Sequence, residues 1–279
     1  MDTSLAQNFL RMTAALLLWL LAIPAASAMP PIQHWVTDNG VRVYFVEAPE
    51  LPMVDINVTF AAGGVRDDGH AGLAHMTSTL LDMGAAGLSA DEISSRAESL
   101  GAELGTGSAR DMAWITLRSL SDAAHLQPAL KLLADVINRP DFNKKDFERE
   151  RERTQVAIRR SEQSPATVAE YTFFQSSYGE HPYAPRPGGT VESIAALKLD
   201  QIKAFYKQYY VARNTVFSIV GDLDRKAAEQ LVEQVTGQLP AGKRAAAVAP
   251  VPVLTSAQEQ RIYHPSTQTH VRICLLYTS

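Results

Sequence analysis

The chain has 279 residues, 46% of them hydrophobic and 20% charged, with a formal net charge of −4. That length suffices for one large domain plus part of another, and the composition is that of a globular protein. The slight acidity gives no reason to expect nucleic acid as a partner. A single cysteine, Cys274, excludes an internal disulfide and any cysteine-built metal cluster.

An apolar run from Ala14 to Ile23 follows Arg11, and Ala26-Ser27-Ala28 supplies a small-residue cleavage site. Residues 1–28 therefore read as a secretory signal peptide, which predicts a periplasmic or secreted protein with no membrane association after cleavage. The apolar core is short for a spanning helix, and Pro24 interrupts it.

Val41 to Val46 reads as a strand after the turn Asp38-Asn39-Gly40, and Met53 to Phe60 alternates apolar and polar as a half-buried second strand. A glycine-rich turn from Gly63 then leads into an apolar helix expected over 73–83, with His75 in its first turns. Asp67 and Asp68 precede that helix and favour its N-terminus through the dipole. Ser89 with Glu92 forms a capping box for a helix to about Leu100, and Gly101 ends it. Met112 to Leu117 is another alternating strand. Leu126 to Ile137 is an amphipathic helix with Pro128 near its start, broken at Asn138-Arg139-Pro140.

Lys144 to Ser161 reads as a charged helix whose Glu and Arg residues can pair one turn apart on a solvated face. Helix continues over 167–177, a loop holds His181-Pro182-Tyr183, and Thr190 caps a short helix to Leu197. A further helix runs from Asp200 to about Tyr210. Thr215 to Val220 is a strand, and Asp224 caps a helix to about Gln238. An Ala-, Pro- and Val-rich stretch has the composition of a linker, and 260–263 and 269–273 look like two strands opening a second unit. The pattern is α+β, a sheet with helices, rather than a doubly wound fold.

Of the histidines, His70 and His75 are five apart across a Gly-containing turn, poor geometry for one helix-face metal site. His75 alone reads as a helix-terminus or packing residue, and His181 as a structural loop residue. No Ser-His-Asp or Cys-His arrangement stands out.

Gly64 to Asp82 nevertheless resembles the active-site helix region of the M16 metallopeptidases, the insulinase and mitochondrial-processing-peptidase-like family. Four further stretches carry the same resemblance: Gly101 to Asp111, Phe147 to Pro165, Tyr178 to Tyr183 followed by Gly189 to Ile194, and Asn214 to Asp222. It implies a sandwich of antiparallel or mixed sheet with helices, the first domain of a two-domain clamshell. The domain would span 29–239, with a linker over 240–256 and a truncated start of a second domain over 257–279.

In catalytic relatives an H-x-x-E-H motif on that helix supplies two zinc ligands and the base that activates water. Here the frame reads His75-Met76-Thr77-Ser78-Thr79, and Ala157 stands where the resemblance places the third ligand. Only His75 remains at a metal-ligand position, with degenerate positions Ser78, Thr79 and Ala157. Glu150 or Glu152 could replace a ligand only from one or two helical turns away. No cofactor is expected, although catalytic relatives use zinc.

The resemblance also makes Leu104, Gly105, Thr106, Gly107 and Ser108 an edge strand that pairs with extended peptides. Its two glycines predict a loosely fixed strand. The implied function is a non-catalytic family subunit, inactive alone, that partners an active zinc metallopeptidase homologue in periplasmic peptide processing or degradation. The alternatives are an active metalloendopeptidase with an unusual ligand set and an envelope peptide-binding scaffold.

Overall fold

A computed structural model describes residues 30–253, 256, 259–265 and 267–273. The signal peptide expected over 1–28 and Cys274 lie outside these residues.

The sheet-forming segments alternate as their sequences require. In β3 (Met53–Phe60), Val54, Ile56, Val58 and Phe60 are buried while Asp55 and Asn57 face water. β2 (Arg42–Glu47), β7 (Ala113–Leu120) and β8 (Thr215–Gly221) repeat the pattern, burying Val43 and Phe45, Ile115 and Leu117, and Phe217 and Ile219. Period-two alternation of this kind builds a sheet with one apolar face. With β1 (Gln33–Val36) and β6 (Glu103–Ser108) the order is β1-β2-β8-β3-β7-β6. The β2–β8 pair is parallel and the others are antiparallel, so the sheet is mixed.

Eight α-helices lie among the described residues, and those at 73–79, 90–99, 123–138 and 225–236 pack on the sheet. The eight are α1 (Leu73–Thr79), α2 (Ala90–Ser99), α3 (Ala123–Asn138), α4 (Lys144–Ser161), α5 (Pro165–Tyr178), α6 (Val191–Ala196), α7 (Leu199–Tyr209) and α8 (Arg225–Thr236). The caps read from sequence are present. Ser89 and Glu92 exchange both capping-box bonds, and the Thr190 and Asp224 side chains accept from Ser193 N and Ala227 N. The core contains Phe45, Phe60, Leu130, Leu133 and Phe217, each fully buried, at about 2–3 kcal/mol apiece. The opposite sheet face is mixed, with the exposed Asp55–Arg118 pair at 2.7 Å beside exposed Tyr44, Leu120 and Val220.

Three expectations change. The helix bearing His75 ends at Thr79 rather than 83, because Gly84–Ala85 and Leu88–Ser89 (β4 and β5) form a small hairpin turning through Ala86 and Gly87, both at positive φ. The helix starting at Leu126 instead begins at Ala123, where the Asp122 side chain caps it. Residues 260–263 and 269–273, expected as strands, lie outside any strand.

Candidate functional site

The sequence between β3 and α1 fixes α1 rigidly. Gly64 and Val65 donate to the carbonyls of Ala109 and Arg110 at 3.0 and 2.9 Å, docking this loop on the β6–β7 turn. Asp67 is buried, and its two carboxylate oxygens accept from Gly72 N and Ala74 N, each at 2.8 Å. The acid expected to act through the helix dipole thus acts by direct hydrogen bonds to amides that helix geometry leaves unpaired. Burial pushes this carboxyl up to about 7, against the pull of those amides. Gly72, at φ 93, lets the helix begin in a turn no ordinary side chain tolerates.

His75 and Thr79, one turn apart on α1, face α4 across a depression of about 440 Å³. From α4, Glu150, Ala157 and Ile158 line the same space, as does Met83. The fold therefore brings together His75, Thr79 and Ala157, which lie far apart in sequence. Ser78 is not among them. It is buried, and its hydroxyl donates to the His75 carbonyl at 2.9 Å, so it cannot serve a reacting water. Burial holds the His75 imidazole below its ordinary range and so keeps it neutral.

Glu150 is nearer the site than its sequence offset suggests. It is buried beside His75, and Arg149 and Arg153 pair with its two oxygens at 3.1 and 3.7 Å. Glu152 is exposed and does not line the depression. Asp82 was missed from sequence. Its carboxyl rises to about 6 through burial, helped by the charge of Glu150 and opposed by a hydrogen bond from Thr106.

A three-ligand zinc site does not fit these residues. Alanine offers no donor, and the one nearby carboxylate is already held by two guanidiniums, leaving a single imidazole where tetrahedral sites need three protein ligands. Among the described residues no group of three or more His, Cys, Asp or Glu is placed to hold a metal.

The candidate peptide edge is the outer strand of the sheet, since β6 pairs only with β7. Its register sets Leu104, Thr106 and Ser108 opposite Leu117, Ile115 and Ala113, on the helix-covered side. Gly105 and Gly107 lie opposite Thr116 and Trp114 on the open side. The glycines do not leave the strand loose. The Trp114 ring covers Gly107 so closely that an added Cβ would sit 2.5 Å from Cζ2, and Thr116 Oγ1 covers Gly105 at 3.0 Å. An aromatic ring lying across an edge glycine restores the contact the missing side chain would have made.

A family model described as insulinase (peptidase family M16) matches residues 42–185, and one described as the peptidase M16 inactive domain matches 196–279. The zinc protease PqqE of Helicobacter pylori is 25% identical over 74% of this chain and 47% of its own length. The non-peptidase homolog YmxG of the same organism is 26% identical over 75% of this chain and 48% of its own. The chain thus spans about half the length of these curated relatives. A solved M16 inactive domain from Pseudomonas fluorescens superposes with a TM-score of 0.78 at 38% identity, covering 80% of this chain and 54% of that one. The periplasmic protease PqqL of Escherichia coli, at 20% identity and a TM-score of 0.72, shares the fold.

Proposed function

The chain belongs to the insulinase family of peptidases, M16, and from that premise we propose that it is a non-catalytic member that holds extended peptides for an active zinc metallopeptidase of the same family. The observation that carries this is the depression between α1 and α4, where His75 faces Thr79 and Ala157 instead of two further ligands. A neutral imidazole with no metal partner cannot lower the pKa of a water enough to attack an amide. The capacity to hold peptide is independent of that loss. Strand addition draws its affinity from main-chain hydrogen bonds, and β6 presents one free edge beside α1. The apolar leader with its Ala26-Ser27-Ala28 site supports action in the periplasm.

The second reading, a peptidase with an unusual ligand set, draws on one observation: Glu150 stands in the same depression as His75. The two differ in zinc. The purified chain is expected to contain no stoichiometric zinc by elemental analysis and to cleave no peptide alone. Added to a family member with an intact H-x-x-E-H motif, it is expected to co-elute and to raise that enzyme's turnover of peptides. One tightly held zinc per chain, with cleavage abolished by His75→Ala, would establish the second reading. A zinc-free chain that binds peptide but never the active homologue would instead make it a free-standing peptide-binding scaffold.

A further inference from the structure

The stretch after α8 has linker composition, yet it is held at defined points along the domain. Ala212 N and Arg213 N donate to the carbonyls of Pro240 and Ala241 at 2.9 and 3.0 Å. Gly242, at φ +58, then passes so close to Val211 that a Cβ would lie 2.4 Å from the valine Cβ. Ala245 N donates to Asn214 Oδ1 at 3.0 Å, and the Arg66 guanidinium donates to Ala246 O at 2.6 Å. Tyr183 N donates to His181 Nδ1 at 3.2 Å, which makes that nitrogen the acceptor and leaves Nε2 to carry the proton it gives to Ala249 O at 2.8 Å.

Besides residues 211–214, two segments clip this stretch, and those two also grip the turn at the end of β6. On one side, Gly64 and Val65, next to Arg66, donate to Ala109 O and Arg110 O. On the other, Arg110 Nε donates to Tyr183 O at 3.1 Å, and Tyr183 Oη donates to Asp111 Oδ1 at 2.7 Å. The Arg110 guanidinium also lies 3.4 Å over the Phe174 ring. A closed circuit results: strap, Arg66 loop, β6–β7 turn, 181–183 loop, and strap again.

We propose that residues 240–250 are a strap that couples the path of the chain beyond α8 to the order of the β6–β7 turn, and so to the edge on which a peptide would add. Pulling the strap away removes one clip from each flanking segment and loosens the turn between them. Coupling of this kind needs an element both ends can bias, and the shared clips are that element. The proposal rests on no partner or peptide, so it stands or falls apart from the function proposed above.

The test displaces the strap without touching either clip. Gly242→Val forces a branched side chain into Val211 at positive φ, and Ala245→Pro removes the donor to Asn214. In each variant tryptic cleavage after the exposed Lys243, a bond that neither substitution alters, is expected to rise about tenfold, the effect of losing one or two hydrogen bonds. Hydrogen exchange at Gly64, Val65 and Ala109, whose amides hold the turn, is expected to rise at least about threefold, with the β3 amides unchanged. Should Gly242→Val fail to show a native melting transition, Ala245→Pro decides alone. Faster cleavage with unchanged exchange at those three amides would overturn the coupling. Unchanged cleavage in the folded variants would overturn the strap itself.

Discussion

His75 on α1 and Ala157 on α4 line the same depression. Residues about 80 positions apart thus share one space, in which His75 is the one imidazole and Thr79 and Ala157 supply no imidazole or carboxylate. Loss of donors costs a fold little, because a threonine and an alanine on half-open helix faces satisfy packing without further partners. Retaining the geometry keeps α1 seated against β6, which matters for any peptide added at that edge.

A first prediction concerns Asp82. Its carboxyl rises to about 6 in the folded chain, above its unfolded value near 3.9, so the folded state binds more protons between those limits. The associated stability is present below about pH 4 and is lost as pH rises through 6. Asp82→Asn is expected to flatten that decline by about 2 kcal/mol, after allowance for partial exposure. Thr106→Val, which removes the opposing hydrogen bond, is expected to carry the decline to higher pH. Urea midpoints from pH 4 to pH 8 for the three proteins provide the measurement, and parallel curves would contradict the assignment.

Much of this was legible in the sequence, for identifiable reasons. Alternation in Met53–Phe60 and the Ser89–Glu92 box are local signals, and both elements formed where local chemistry placed them. The meeting of His75, Thr79 and Ala157 was reached only through resemblance, since no local pattern links residues about 80 positions apart. The burial of Glu150 was not legible, because a Glu amid alternating Glu and Arg reads as a solvated face until the neighbouring helix is in place. The covering of Gly107 by Trp114 depends on strand register, which composition does not give.

Asp67 supplies a second prediction. Asp67→Ala leaves the Gly72 and Ala74 amides without their acceptor and is expected to cost about 1–3 kcal/mol near pH 6. Because burial raises this carboxyl from an unfolded value near 3.9 to about 7, the wild-type advantage should shrink as pH climbs from about 4 through 7 and level off above it. Thermal melts of both proteins at pH 6 and pH 8.5 check the sign. An advantage that stays level between these pH values would mean the amides, not burial, set the ionisation.

The edge strand supplies a third. Gly107→Ala drives a methyl into the Trp114 ring and is expected to destabilise the chain by about 1–2 kcal/mol. Trp114→Ala should cost a similar amount by uncovering the strand, yet the double variant should cost less than the sum, since each change removes the other's problem. Additive costs in denaturant titrations would show that ring and glycine do not act together.

The last prediction puts the missing donors back. Thr79→His places a second imidazole one turn after His75 on the same face of α1, and Ala157→Glu brings a carboxylate from α4 into the same depression. With His75 these make the three protein ligands that a catalytic-type zinc site requires, the fourth position remaining for water. The double variant is expected to bind one zinc per chain, measured by elemental analysis after dialysis. Its melting temperature should rise with added zinc and return on chelation, because metal held by the folded state alone stabilises it by mass action. Peptide cleavage is not expected from these two changes, since Ser78 still stands where a base is needed and its hydroxyl is committed to the His75 carbonyl. A folded double variant that takes up no zinc would mean that α1 and α4 no longer stand at the spacing a metal site needs, and that the fold as well as the chemistry has drifted.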